Sequence, residues 1–251
     1  AFRAGAGLVQ VASPSENRTV LQAAVPEAIF VDPGDGSALE DALAQASAVA
    51  VGPGLGTDAG GEALLRRVLE VSGSPLVVDA DALNLLAAGR AGNVGDAARG
   101  RPVLLTPHAG EMGRLRPGSE AQGRGGRVEI ARQAAESFGC AVLLKGAPSL
   151  VAAPGAPVLV DAQGSSDLAV AGMGDVLTGV CGGLAAQGCP PREAGAVGLY
   201  LTGRAAVLAG RGKSLMPTDV VRWLPEALAE RGPGVSDLGL PFVLLDLDAA
   251  R

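Results

Sequence analysis

Short apolar runs alternate with helix-length segments along most of the chain. Leu8–Ala12, Ala28–Val31, Ala48–Val51, Leu76–Asp79, Val103–Thr106 and Ala141–Lys145 predict strands. These runs are unbroken rather than alternating, the pattern of parallel strands covered on both faces. Ser37-Ala38-Leu39-Glu40 fits a capping box with Ser37 as N-cap, so a helix is expected through about Gln45. Further helices are expected over 60–71, 83–87 and 127–138. Strand, helix, strand repeated in this way predicts the α/β class: a doubly wound, mainly parallel sheet flanked by helices on both faces. Leu150–Ala153 and Val158–Val160, joined by Pro154-Gly155-Ala156-Pro157, predict a hairpin, and helices follow over 175–187, 192–209 and 218–230. Residues 1–231 are expected to form one domain. Residues 232–251 form a tail whose apolar run, Phe242–Leu247, suits either an edge strand or a partner contact.

Composition narrows the class. The chain has 251 residues, 48% apolar and 18% charged, with a net charge of −6. That is ample for a core and is not a disordered composition. The acidic balance speaks against nucleic acid and against a polybasic membrane anchor. The longest uncharged apolar stretches, 42–57 and 176–191, contain Gly and Pro and are too short to span a membrane. Ala1–Val11 lacks the apolar region of a signal peptide. Cys140, Cys181 and Cys189 have no metal-ligand spacing and are expected to be buried thiols of a cytoplasmic protein.

In an open parallel sheet, ligands bind beyond the carboxyl ends of the strands. Four polar or Gly-rich segments fall there: Gly52–Asp58, Asp79–Asn84, Thr106–Glu111 and Lys145–Ser149. A fifth, Gly172-Met173-Gly174-Asp175, opens a helix. Its glycines permit a tight turn that presents N–H groups to an anion, with the positive end of the helix dipole behind them. Asp175 is either a plain capping residue or a general base for an attacking hydroxyl. Gly52-Pro53-Gly54-Leu55-Gly56 is either an ordinary strand-to-helix turn or a close approach to ligand, and it is not a dinucleotide fingerprint. One of Asp79 and Asp81 suits a helix cap, and the other suits Mg²⁺ through water or a hydroxyl-rich ligand. His108, the only histidine, precedes Glu111 on an expected loop, which excludes a His pair on metal. Lys145 either snorkels or pairs with phosphate.

In order and spacing, five segments resemble the nucleotide-dependent NAD(P)H-hydrate dehydratases of the ribokinase-like superfamily. They are Gly52–Gly56, Val78-Asp79-Ala80-Asp81-Ala82-Leu83-Asn84, Thr106-Pro107-His108-Ala109-Gly110-Glu111-Met112, Lys145-Gly146-Ala147-Pro148-Ser149 and Ala171–Gly179. The resemblance runs from about Ala1 to Glu230, and the second and third segments are its most specific parts. It implies phosphorylation of the ring hydroxyl of hydrated NADH or NADPH by ADP or ATP, then loss of phosphate. Asp175 would be the base, with Gly172, Met173 and Gly174 as the anion hole. Gly54, Gly56 and His108 would contact the hydrate, and Lys145, Gly146, Ala147, Pro148, Ser149 and Gly174 the nucleotide. Asp79, Asp81, Asn84 and Glu111 would position substrate and the water shell of Mg²⁺, with no direct metal ligand assigned.

The resemblance also implies a homo-oligomer, often a tetramer, and an epimerase partner, fused or separate. It further implies a Gly-Ser-rich strand and the start of a helix ahead of Arg3–Val9. Met173 departs from the Ser or Thr of many relatives, and Ser149 from their Thr. The alternatives are a ribokinase-like kinase acting on a hydroxymethylpyrimidine or thiazole alcohol, and a non-catalytic nucleotide-binding module.

Overall fold

The computed structural model describes residues 1–70, 73–119, 123–230 and 242–245. The strands are β1 (Gln10–Ala12), β2 (Ile29–Val31), β3 (Val49–Val51), β4 (Leu76–Val78), β5 (Val103–Leu105), β6 (Ala141–Leu144), β7 (Leu150–Ala152), β8 (Val158–Asp161) and β9 (Phe242–Leu245). The helices are α1 (Arg18–Ala24), α2 (Gly36–Gln45), α3 (Ala59–Glu70), α4 (Ala80–Ala87), α5 (Val94–Ala98), α6 (Ala109–Leu115), α7 (Gly123–Phe138), α8 (Met173–Ala186), α9 (Pro191–Ala209) and α10 (Pro217–Ala229). Strands β3 to β9 form one sheet in sequential order. The pairs from β3 to β6 are parallel, and those from β6 to β9 are antiparallel. The predicted hairpin is β7–β8, and the tail supplies β9 as an edge strand against β8. Residues 246 and 247 of the tail's apolar run lie outside the described residues.

Alternation along the central strands separates two cores. Leu76, Val78, Leu105, Val142 and Leu144 face a cluster with Leu39, Leu65, Leu83 and Ala131 of α2, α3, α4 and α7. Val77, Leu104, Leu143 and Val151 face Leu177, Cys181 and Leu199 of α8 and α9. Both faces of the sheet are therefore covered, as the unbroken apolar runs require. Full burial of each such Leu or Val side chain contributes about 1.5–3 kcal/mol. Helices α8 and α9 approach closely at Gly198, where an added Cβ would lie 2.8 Å from the Cys181 sulfur.

Several expectations are corrected. The first two strands are shorter than predicted and pair in parallel as a separate two-stranded sheet. Gln10 and Ala12 are exposed and Ile29 is 47% exposed, so this sheet lacks the two-sided cover of the large one. Ser37 is not the cap of α2. The Asp35 carboxylate accepts from the Ala38 N–H at 3.1 Å and from Ser37 Oγ at 2.8 Å. A carboxylate outcompetes a hydroxyl as acceptor for an orphan helix N–H, and these donors lower its pKa. Glu40 pairs instead with Arg67 of α3. Helices α1, α5 and α6 were not predicted. The residues of α1 include none that are buried, so no apolar face announces it. Cys140 and Cys181 are buried as expected, whereas Cys189 is only half-buried.

Candidate active site

Parallel pairing aligns the carboxyl ends of β3 to β6, and backbone hydrogen bonds continue the alignment past them. The Asp79 N–H donates to Val51 O at 3.0 Å, Thr106 N–H to Val78 O at 3.0 Å, and Lys145 N–H to Pro107 O at 2.8 Å. Gly52 makes the closest approach. Its φ is +131°, and a Cβ there would lie 1.7 Å from the Asp79 carbonyl oxygen. Only glycine tolerates both conditions.

The floor of the site is buried and charged. Asp79 is 1% exposed. Its Oδ1 accepts from Lys145 Nζ at 2.6 Å and its Oδ2 from Thr178 Oγ1 at 2.6 Å. Glu111, 5% exposed, lies 4.0 Å from the same ammonium. Asp79 stands at the N-cap position of α4 without capping it through its side chain. Ala80 follows with φ +48°, a left-handed conformation that costs a non-glycine residue about 1–3 kcal/mol.

The rim is tied to this floor. Asp81 accepts from the Gly56 N–H at 2.9 Å and so fixes the loop that carries Gly54 and Gly56. Asn84 accepts from Arg114 Nε at 2.8 Å. His108 and Glu111 do not lie on a free loop as expected: His108 caps α6 and Glu111 sits in its first turn. His108 Nδ1 accepts from the Gly110 N–H at 2.9 Å and the Glu111 N–H at 3.3 Å, while Glu111 accepts from the His108 N–H at 2.8 Å. With Nδ1 spent as acceptor, the ring proton is carried on Nε2.

The Lys145–Ser149 loop is closed on itself. Ser149 Oγ donates to Gly146 O at 3.0 Å, and the Ala147–Pro148 peptide is cis. Arg127 of α7 donates to Lys145 O at 3.1 Å and Pro148 O at 3.2 Å. Burial pushes the pKa of this guanidinium down.

Helix α8 opens over the floor. Gly172 is its N-cap, with φ +85° and no side-chain cap. The Met173 N–H donates to Val170 O at 3.2 Å, and the Val176 N–H donates to Gly172 O. Among the described residues, no acceptor takes the N–H groups of Gly172, Gly174 or Asp175. The Met173 side chain is 8% exposed and packs with Val180, Leu201 and Leu224. Met173 is thus turned away by its side chain, with its N–H already spent. A Cβ at Gly174 would lie 3.4 Å from Lys145 Nζ, so the ammonium stands directly beside the helix N-terminus. Asp175 is exposed. Among the described residues, no hydrogen bond or ion pair engages its carboxylate.

The five segments therefore converge on one face. Gly174 meets Lys145 and Asp79, Lys145 approaches Glu111, Glu111 binds His108, and Asp81 binds Gly56. Thr178 and Arg127 were not among the sequence candidates. Thr178 lay inside the quoted Ala171–Gly179 segment as an unassigned hydroxyl, and nothing in the sequence set Arg127 apart from a surface arginine.

A mostly parallel sheet with a glycine-opened helix set over a strand-end lysine defines a ribokinase-like α/β protein. A ribokinase-like protein of Enterococcus faecalis superposes with a TM-score of 0.77 at 28% identity, over 90% of this chain and 78% of that one. The ADP/ATP-dependent NAD(P)H-hydrate dehydratase of Bacillus subtilis, co-crystallised with ATP and Mg²⁺ and soaked with CoA, superposes with a TM-score of 0.72 at 26% identity, over 91% and 83%. The chain belongs to the NAD(P)H-hydrate dehydratase family, whose model matches residues 1–226.

The bifunctional NAD(P)H-hydrate repair enzyme of Moorella thermoacetica is 38% identical over 241 residues, covering 91% of this chain and 45% of that protein. The ADP-dependent (S)-NAD(P)H-hydrate dehydratase of Neisseria meningitidis is 39% identical over 183 residues, covering 69% and 61%. The chain spans about half the length of the bifunctional relatives it matches. Among the described residues, no helix is long and apolar enough to cross a membrane.

Proposed function

We propose that this chain catalyses nucleotide-dependent dehydration of (6S)-NAD(P)H hydrate, with ADP as phosphoryl donor. The observation that carries this reading is the unengaged Asp175 carboxylate beside unspent N–H groups, with Lys145 held next to Gly174. Asp175 takes the proton of the ring hydroxyl as its oxygen attacks the terminal phosphorus of the nucleotide. The Gly172 and Gly174 N–H groups and the Lys145 ammonium receive the phosphoryl oxygens as charge develops. The nucleotide leaves one phosphate shorter. The lone pair of the ring nitrogen then expels phosphate from the adjacent carbon, and loss of a proton from the next carbon restores the ring double bond. Gly146, Ala147, Pro148 and Ser149 hold the nucleotide, and Arg127 fixes that loop. Gly54, Gly56, Asn84 and His108 face the hydrate, and His108 Nε2 also lies 3.4 Å from Glu111 Oε1.

The donor set suits Mg²⁺ carried on the nucleotide phosphates. Asp79 already accepts from Lys145 and Thr178, Glu111 from the His108 N–H, and no group of three His, Cys, Asp or Glu suited to a metal occurs among the described residues. Such a site matches an ion that keeps most of its waters, with Glu111 reached through them and Asp79 holding Lys145 beside it. Bound there, the ion would neutralise phosphate charge. The bifunctional relatives support an epimerase, fused or separate, as the partner that supplies the S hydrate.

The test is recovery of reduced-nicotinamide absorbance from NADH hydrate and Mg²⁺, with ADP, ATP or no nucleotide. Recovery with ADP and none without nucleotide is expected. Recovery in the absence of nucleotide would overturn the phosphoryl mechanism. A stable phosphorylated alcohol in place of recovery would mark a small-molecule kinase.

A further inference from the structure

We propose that Thr178 is a positioning residue for phosphoryl transfer, which acts through the Asp79 carboxylate to hold the Lys145 ammonium beside the N-terminal turn of α8. The proposal rests on the reading of the site as a phosphoryl-transfer centre and assigns a residue to it. Asp79 has both oxygens taken, one by Lys145 Nζ and the other by Thr178 Oγ1, each at 2.6 Å. A carboxylate so engaged, and 1% exposed, is a structural intermediary rather than a ligand for substrate.

Lys145 needs that intermediary. Its flexible stem carries a point charge that a second carboxylate, Glu111, attracts from 4.0 Å. The Thr178 bond fixes the plane of the Asp79 carboxylate, and so decides that the ammonium rests toward Gly174. An ideal Cβ at Gly174 would lie 3.4 Å from Nζ and 3.7 Å from Asp79 Oδ2, so the ammonium and the carboxylate stand beside the helix N-terminus. Thr178 also follows Asp175 by three residues on α8, which places both on one face of the helix. One hydroxyl, 2% exposed, thereby sets the helix face that presents the base and the cation beside it. The other buried hydroxyl of the floor, Thr106 Oγ1, donates to Val78 O at 3.3 Å rather than to Asp79.

The experiment compares Thr178→Val, which keeps the shape and removes the hydroxyl, with Thr178→Ser, which keeps the hydroxyl. Steady-state kinetics with ADP are read beside the ¹H–¹⁵N resonance of the Lys145 ammonium, assigned by its loss in Lys145→Arg. For the valine variant, kcat falls about tenfold or more, as for a lost hydrogen bond to a charged group, while KM for ADP stays within about twofold. The ammonium resonance is lost to solvent exchange. Serine restores both. Wild-type kcat and an unchanged resonance in Thr178→Val would overturn the proposal, as would a serine variant no better than valine. If the valine chain does not fold, Thr178→Ala is read in the same way. If the wild-type protein regenerates no cofactor, the dehydratase reading falls, and the resonance alone decides the role of Thr178.

Discussion

Asp175→Asn and Asp79→Asn should fail in different ways, although both remove one negative charge from one site. Asp175 is exposed and unengaged among the described residues, so its loss disturbs no packing. The only stabilising interaction removed is that of a carboxylate in the first turn of α8, about 0.3–1 kcal/mol. For a chain of this size, that lowers Tm by roughly 1–4 °C. Turnover should fall about 10²–10⁴-fold, the usual contribution of a positioned base. Binding of ADP should persist. Asp79→Asn instead leaves the Lys145 ammonium facing a neutral amide. Breaking a buried pair costs about 3–5 kcal/mol, and the low end applies because the Lys145 side chain is 20% exposed and keeps some water. At about 3 kcal/mol, Tm should drop by roughly 6–12 °C, with turnover lost as well. Thermal melts and NADH-hydrate recovery on both variants measure all four quantities. Full turnover in Asp175→Asn would refute the base assignment. An unchanged Tm in Asp79→Asn would refute the view that this carboxylate holds the site together.

Gly52→Ala should yield no folded protein by circular dichroism. A Cβ 1.7 Å from the Asp79 carbonyl oxygen forces the ends of β3 and β4 apart, beyond the ~4 kcal/mol that marks exceptional substitutions. Asp161→Asn should raise Tm at about pH 8, with the gain shrinking toward about pH 4. Burial raises the Asp161 pKa, so the folded state holds that proton more tightly than the unfolded state. Wild-type stability therefore declines as pH rises from the unfolded carboxylate value through the folded one, and asparagine lacks this loss. Native protein treated with iodoacetamide at about pH 8 should be alkylated at Cys189 first, checked by peptide mass spectrometry. Burial pushes the Cys140 and Cys181 thiols up to about 12 and shields them until unfolding, while Cys189 is half-buried with a less raised pKa.

The strands β3 to β6 were legible because they are unbroken apolar runs between helix-length segments, and two-sided burial requires that pattern; β7 and β8 were legible as a hairpin from the Pro154-Gly155-Ala156-Pro157 turn between them. The helices α8, α9 and α10 were placed within two residues of their bounds. Helix α6 was missed because Thr106–Glu111 carries polar residues where a loop is expected, and its cap is an imidazole nitrogen rather than a common Ser, Thr, Asp or Asn. The strand-end placement of the polar segments followed from the topology of open parallel sheets. What the sequence could not disclose is pairing at long range. That Asp79 joins Lys145 and Thr178, and that Arg127 holds the Lys145–Ser149 loop, depends on side-chain directions that no local spacing encodes. The Met173 N–H bond to Val170 O is local, a backbone turn three residues long that the Gly-rich spacing did not announce, and it leaves Gly172, Gly174 and Asp175 as the open donors among the described residues.

The bonds that assemble the floor of this site join residues far apart along the chain: Asp79 to Lys145 across 66 positions, and Asp79 to Thr178 across 99. Loop closure of that length comes late, after the intervening strands have paired. A chain interrupted partway through folding, with β4 and β6 paired and α8 undocked, has Lys145 and its loop yet lacks the helix N-terminus that faces them. Competence to bind nucleotide thus marks completion of the fold. Bound nucleotide would in turn favour the finished chain over its intermediates, in proportion to the logarithm of its concentration over its dissociation constant. The proposed reaction and the stability of the finished fold would draw on the same set of contacts.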